Sequence, residues 1–212
     1  MSATTMTHST TLSLLPLLLF CLSTMLTPGP NNIMLTASGA NFGYRRTVPH
    51  IMGVALGMGA QVLLVGLGLG QLFLRFPALH AALAVAGSAY LLWLAWKISR
   101  FHGAGGNGNA DATGRPLTFM QAVLFQWVNP KAWMMCVGAV STFTTPGPGL
   151  MHGVLVITAF FLVLIPPCIS VWTLLGVRIG GWLQTDGRRR AFNTTLALLL
   201  VGSLVLMHGI GA

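Results

Sequence analysis

Apolar residues dominate six long stretches of the chain, approximately 12–36, 47–71, 77–98, 117–142, 151–175 and 191–210. About 20 helical residues cross the hydrocarbon core of a bilayer. The pieces between the stretches are short and rich in Gly, Pro or Arg: NFGYRR, FLRFP, GAGGNGNADATGRP, TTPGPG and QTDGRRR. This alternation predicts an all-α integral membrane protein with six transmembrane helices. Two of the stretches are interrupted. The first contains "TPGPNN" (27–32) and the fourth "FQWVNPKAW" (125–133). Proline lacks a backbone N–H and clashes with the carbonyl four residues earlier. Pro28 and Pro30, with Gly29 between them, predict local unwinding, and Pro130 predicts a second interruption.

Composition fixes the class. Of the 212 residues 54% are hydrophobic and 6% charged, where a soluble domain carries about a quarter. Charge then orients the spans. Arg45, Arg46, Lys97, Arg100, Arg115, Arg178, Arg188, Arg189 and Arg190 fall in or beside the odd-numbered loops, and only Arg75 falls in an even one. Basic loops stay in the cytoplasm, so both termini are expected to be periplasmic. The net charge of +9 therefore belongs to loops that face anionic headgroups, and nucleic acid is not an expected partner. The N-terminal "MSATTMTHSTTLSLL" has no Lys or Arg, unlike a cleaved signal, so the first span is expected to be retained.

The stretch "HGAGGNGNADATG" (102–114) has a linker composition. It divides the chain into residues 1–100, a first three-helix repeat; 101–116, a cytoplasmic linker; and 117–212, a second three-helix repeat. Three spans per half is odd, so the halves enter from opposite sides. This predicts a 3+3 inverted repeat with interrupted first and fourth helices. The two breaks stand at matching positions in the two halves.

In hydrocarbon, backbone groups freed by a break need partners or a wet cavity. The residues at the breaks are Thr27, Pro28, Gly29, Pro30, Asn31 and Asn32, and Gln126, Asn129, Pro130 and Lys131. At 1.5 Å per residue, Lys131 lies roughly 20 Å into its span. A charge near the bilayer middle marks a functional site by default, and paired interrupted segments mark a transporter's binding site. These ten residues are the expected substrate-binding set.

Other features weigh less. Gly39xxxGly43, Gly53xxxGly57 and Gly176xxxGly180 permit close helix packing, and such faces suit a homodimer. Trp93, Trp96, Trp127, Trp133, Trp172 and Trp182 suit interfacial anchoring, with Trp127 and Trp133 also flanking the second break. His50 and His80 are expected near span ends in a solvated or interfacial role, and Asp186 as the local partner of the Arg188–Arg190 run. Cys21, Cys136 and Cys168 have no ligand-type spacing and are expected as buried apolar side chains. No metal site and no cofactor are expected. The HExxH, GxSxG and paired-aspartate patterns do not occur, so no catalytic residues and no enzyme activity are expected. A channel, or an exporter of another small solute, is the alternative reading.

"TPGPNNIMLTASGANFGYRR", with "GVALGMG" (53–59), "AYLLWLAWK" (89–97) and "FQWVNPKAW", resembles the LysE-type amino-acid exporters over nearly the whole chain. The threonine/homoserine branch and its cysteine/O-acetylserine exporters are the most similar in look. The resemblance implies a bacterial inner-membrane exporter of small amino acids driven by the proton motive force. The matching motif positions are Pro28, Gly29, Pro30 and Asn31, then Asn129, Pro130 and Lys131. Many relatives carry Asp where this chain has Asn31, and both acids of this chain, Asp111 and Asp186, fall outside the spans. That disfavours a cationic substrate such as lysine. It leaves Lys131 as the candidate for proton coupling.

Overall fold

The computed structural model describes residues 14–70, 75–101 and 115–209, and these contain helices and connections but no strand. The linker 102–114 and the segment before Leu14 lie outside the described residues. The helices are α1 (Leu14–Leu26), α2 (Pro30–Phe42), α3 (Tyr44–Leu64), α4 (Pro77–Ser99), α5 (Phe119–Val128), α6 (Pro130–Phe143), α7 (Leu150–Gly180) and α8 (Asp186–Gly209). A π-helical turn, Val65–Leu69, extends α3.

Among the described residues three helices are long and apolar enough to cross a membrane: Tyr44–Leu69, Ala81–Ser99 and Leu150–Gly180. The pair α1–α2 passes the same test together, bent by 57° at its break. Large side chains such as Leu15, Val85, Leu124, Val163 and Leu198 point outward. A water-facing protein does not leave so wide an apolar surface bare; lipid covers it at no cost.

The boundaries shift from the sequence expectation in an informative way. The first apolar unit continues to Phe42, so its break falls midway, with 13 residues on either side. The expected loop NFGYRR shrinks to one residue. Gly43 turns the chain at φ 81°, a conformation that favours glycine, and α3 begins at once. Similarly, DGRRR forms the first turns of α8 rather than a loop. At Thr118 a capping box starts α5: Gln121 N–H donates to Thr118 Oγ1 at 3.3 Å, and Thr118 N–H to Gln121 Oε1 at 3.0 Å.

Packing follows small residues. A methyl at Gly39 would run into the carbonyl of Thr173, one at Gly176 into that of Thr36, and one at Gly180 would lie 2.6 Å from that of Ala40. These three glycines let α2 lie backbone to backbone on α7. Gly53 does the same for α3 against the Phe119 carbonyl, and Gly57 makes room for the Gln126 side chain and the Val123 carbonyl. Gly43 has no neighbour within 4 Å of its missing Cβ, so its role is the turn and not packing. Further out, α3 also packs on α7, and α4 on α8. One apolar cluster joins residues of α1, α3, α6 and α7 with Leu35 of α2 and Ala122 of α5. A second joins α2, α4, α5 and α8. The short helices α2 and α5 stand between the two.

Candidate functional site

The two breaks meet. Residues Thr27–Gly29 are non-helical, and Asn129 is extended at φ −91°, ψ 105° between α5 and α6. Lys131, in the first turn of α6, reaches back across the bundle. Its ammonium donates to the carbonyl of Thr27 at 2.6 Å and to that of Pro28 at 3.3 Å. Gly29 makes room: a Cβ there would lie 2.7 Å from Lys131 Cδ and 3.0 Å from its Nζ.

Several freed backbone groups near the breaks find specific side chains. Asn32 Nδ2 donates to the carbonyls of Met25 at 2.9 Å and Thr27 at 2.8 Å. In a continuous helix the Gln126 carbonyl would accept from residue 130, which is proline. Instead it accepts from Gln61 Nε2 at 2.9 Å and, more loosely, from Asn129 N–H at 3.3 Å. The Trp127 carbonyl would accept from residue 131, whose N–H turns to Asn129 Oδ1 at 3.2 Å. Trp133 Nε1 takes that carbonyl at 2.8 Å. Lipid offers no hydrogen bonds, so these partners are what allows the interruptions to persist.

A reciprocal amide pair ties the halves together. Asn31 Nδ2 donates to Gln126 Oε1 at 2.9 Å, and Gln126 Nε2 to Asn31 Oδ1 at 3.3 Å. Beside it lies a cavity of about 30 Å³, room for a water or two. Gly29, Asn31, Asn32, Asn129 and Lys131 supply its polar lining, with Met58, Met135 and Ile165 among its apolar walls. The head of α2 has no side-chain cap, and its first N–H groups carry the positive end of the helix dipole.

All ten break residues expected from the sequence thus gather at one place. Their parts differ. Thr27 and Pro28 offer carbonyls, Gly29 offers space, and Pro30 and Pro130 start the second half-helices. Two polar groups outside the expected set, Thr24 and Gln61, also lie here, and His50 departs from its expected setting. Thr24 lines the cavity. Gln61, fully buried, is a lone amide in the apolar run "GMGAQVLLVG", and that isolation was its signal. His50, expected near a span end in a solvated or interfacial role, is instead 1% exposed, and neither ring nitrogen has a partner among the described residues. The His80 side chain lies outside the described part.

Trp127 and Trp133 meet edge to face. Asp186 forms no ion pair among the described residues; Arg189 turns instead to Asn41 Oδ1 at 3.4 Å and the Leu183 carbonyl at 3.2 Å. Cys21, Cys136 and Cys168 are free and buried.

Apolar helices interrupted in pairs, with their breaks joined through a buried polar centre, define a membrane protein of the broken-helix, transporter-like class. The chain belongs to the LysE type translocator family, whose model matches residues 22–208. It is 34% identical over 183 residues to a cysteine/O-acetylserine efflux protein of Salmonella choleraesuis, covering 86% of this chain and 90% of that one. It is 31% identical over 183 residues to a protein of the same description from Escherichia coli K12, with the same coverage. A homoserine/homoserine lactone efflux protein of Salmonella typhimurium is 30% identical over 185 residues, covering 85% and 89%. No solved structure matches.

Proposed function

We propose that this protein is a secondary transporter of the bacterial inner membrane that exports small neutral amino acids or their derivatives, of the cysteine, O-acetylserine, threonine and homoserine class, coupled to the proton motive force. The observation that carries the reading is Lys131 spanning from the second break to the carbonyls of the first. The same few ångströms present what a zwitterion needs. Carbonyl and amide oxygens suit an ammonium. Lys131 and the uncapped head of α2 suit a carboxylate.

Lys131 occupies the acceptors that a substrate ammonium would use. An arriving substrate ammonium takes over the Thr27 and Pro28 carbonyls, and the released Lys131 pairs with the substrate carboxylate. Binding and rearrangement of the breaks are then one event. With no acid at this depth, Lys131 is also the group that takes or releases the coupled proton.

The architecture that goes with this reading is six spans as a 3+3 inverted repeat. Residues 1–100 and 117–212 are its halves, 101–116 a cytoplasmic linker, and both termini are periplasmic. Each element's packing on its counterpart supports it: α3 on α7, α4 on α8, and the first break on the second. Alternating access is a rocking of one half on the other.

The test is flux of labelled homoserine, O-acetylserine, cysteine, leucine and lysine in proteoliposomes, with and without a pH gradient. Saturable, gradient-stimulated flux of the small neutral substrates is expected in the wild type, and loss in Lys131→Ala. Non-saturating conductance would identify a channel. Undiminished gradient-driven flux in Lys131→Ala would remove Lys131 from the coupling role.

A further inference from the structure

A second, larger cavity of about 70 Å³ opens at the arginine-rich end, between α2, α3, α4 and the segment leading into α5. Its walls are chiefly apolar, including Met34, Leu94 and Phe101. Lys97 and Arg115 supply its charge, and no carboxylate pairs with either among the described residues. His50 lines it, wholly buried and with neither ring nitrogen partnered among the described residues. A neutral imidazole has one donor and one acceptor nitrogen, and leaving both unmet in a buried site is costly. Among the described residues, then, His50 has no polar partner at the depth of the cavity and the two rim cations have no anion.

An acidic lipid would satisfy the rim cations but would leave His50 facing an acyl chain. A small zwitterion satisfies both. One helix connects this cavity to the break site. Asn31, Met34, Ser38 and Asn41 follow one another at three- and four-residue steps, a single stripe of α2. Asn31 lines the cavity at the breaks, and the other three line the larger one.

We infer that the larger cavity is a loading site where a small amino acid docks on its way from the arginine-rich face to the Lys131 cavity. Its carboxylate meets Lys97 and Arg115, its amino group the acceptor nitrogen of His50, and its short side chain Leu94 and Phe101. This rests on the transport reading above. Met34 and the Asn31–Gln126 amide pair then form the partition between the loading site and the breaks.

The experiment measures KM for labelled homoserine presented in turn at each face of oriented proteoliposomes. The chains compared are wild type, His50→Leu, Leu94→Trp and Lys131→Ala. Loss of the His50 contact should raise KM at the arginine-rich face about tenfold and leave KM at the opposite face within about twofold. Leu94→Trp, which fills the cavity and leaves residue 50 unchanged, should give the same one-sided change, and it serves alone if His50→Leu does not fold. Equal KM changes at both faces, or none, would overturn the loading site. Normal flux in Lys131→Ala combined with a one-sided His50 effect would remove the central reading and leave the loading site standing. Absence of homoserine flux in the wild type would overturn both.

Discussion

At the residue scale the centre depends on a single glycine as much as on the lysine. Gly29 has no Cβ, and Lys131 lies in the space one would fill. The neighbour is a flexible side chain, so Gly29→Ala displaces Lys131 rather than unfolding the chain. We expect flux to fall about tenfold or more, since positioning by an ångström matters at such sites, while the melting temperature in detergent stays near wild type. A large loss of melting temperature would show that Gly29 is structural instead.

Asn31 carries a different prediction. It faces Gln126 as one amide faces another, with no charge for a solute that carries a second ammonium. Asn31→Asp supplies that charge. Lysine counterflow, absent in the wild type, is expected to appear in this variant, at the expense of homoserine. Identical substrate profiles for the two chains would separate selectivity from this position.

At the element scale, stability rests on what accepts or donates at the interruptions and on close helix approach. Gln61 is fully buried and donates to the Gln126 carbonyl left free by Pro130. Gln61→Leu leaves that carbonyl with only a long contact, and the expected cost is about 1–3 kcal/mol, read as a lower midpoint of thermal unfolding. Gly39→Ala places a methyl against the Thr173 carbonyl where α2 meets α7. Overpacking of this kind costs typically about 1–3 kcal/mol, and because backbone is what it strikes, no rotamer change relieves it. A Gly43→Ala variant tests the other use of glycine: it touches nothing, so any destabilisation reports its positive φ alone.

At the scale of the whole molecule, the charge pattern and the pairing of elements make one topological claim. The three native cysteines are buried, so an introduced surface thiol can be followed against a low background. Arg45→Cys and Arg188→Cys should react with an impermeant thiol reagent only from the cytoplasmic side, and Arg75→Cys only from the periplasmic side. Modification of Arg75→Cys from the cytoplasm would reverse the proposed inverted arrangement. The same molecule-wide view explains why the apolar exterior is so extensive. Large apolar side chains fill the core, as Leu17, Val154 and Phe161 do, and also cover the outside, as Leu15, Val163 and Trp182 do, where a water-soluble protein would be polar.

By itself the sequence determined the helical class, the two interruptions and the ten residues beside them. Each of those rests on local chemistry: proline cannot donate, 20 apolar residues match a bilayer, and charge avoids hydrocarbon. The glycine patterns also announced close packing, and Gly39, Gly53, Gly57, Gly176 and Gly180 are used that way. Tertiary structure decided the pairings. Nothing local says that Lys131 ends on Thr27 and Pro28, that Gln61 repairs the carbonyl freed by Pro130, or that His50 is buried beside a cavity. These contacts join positions 65 or more apart in sequence, and only the folded bundle brings such positions within hydrogen-bonding distance. Where a helix ends was likewise a tertiary matter at Phe42. The small residues of α2 stay helical there because α7 lies against them, and the chain turns only at Gly43.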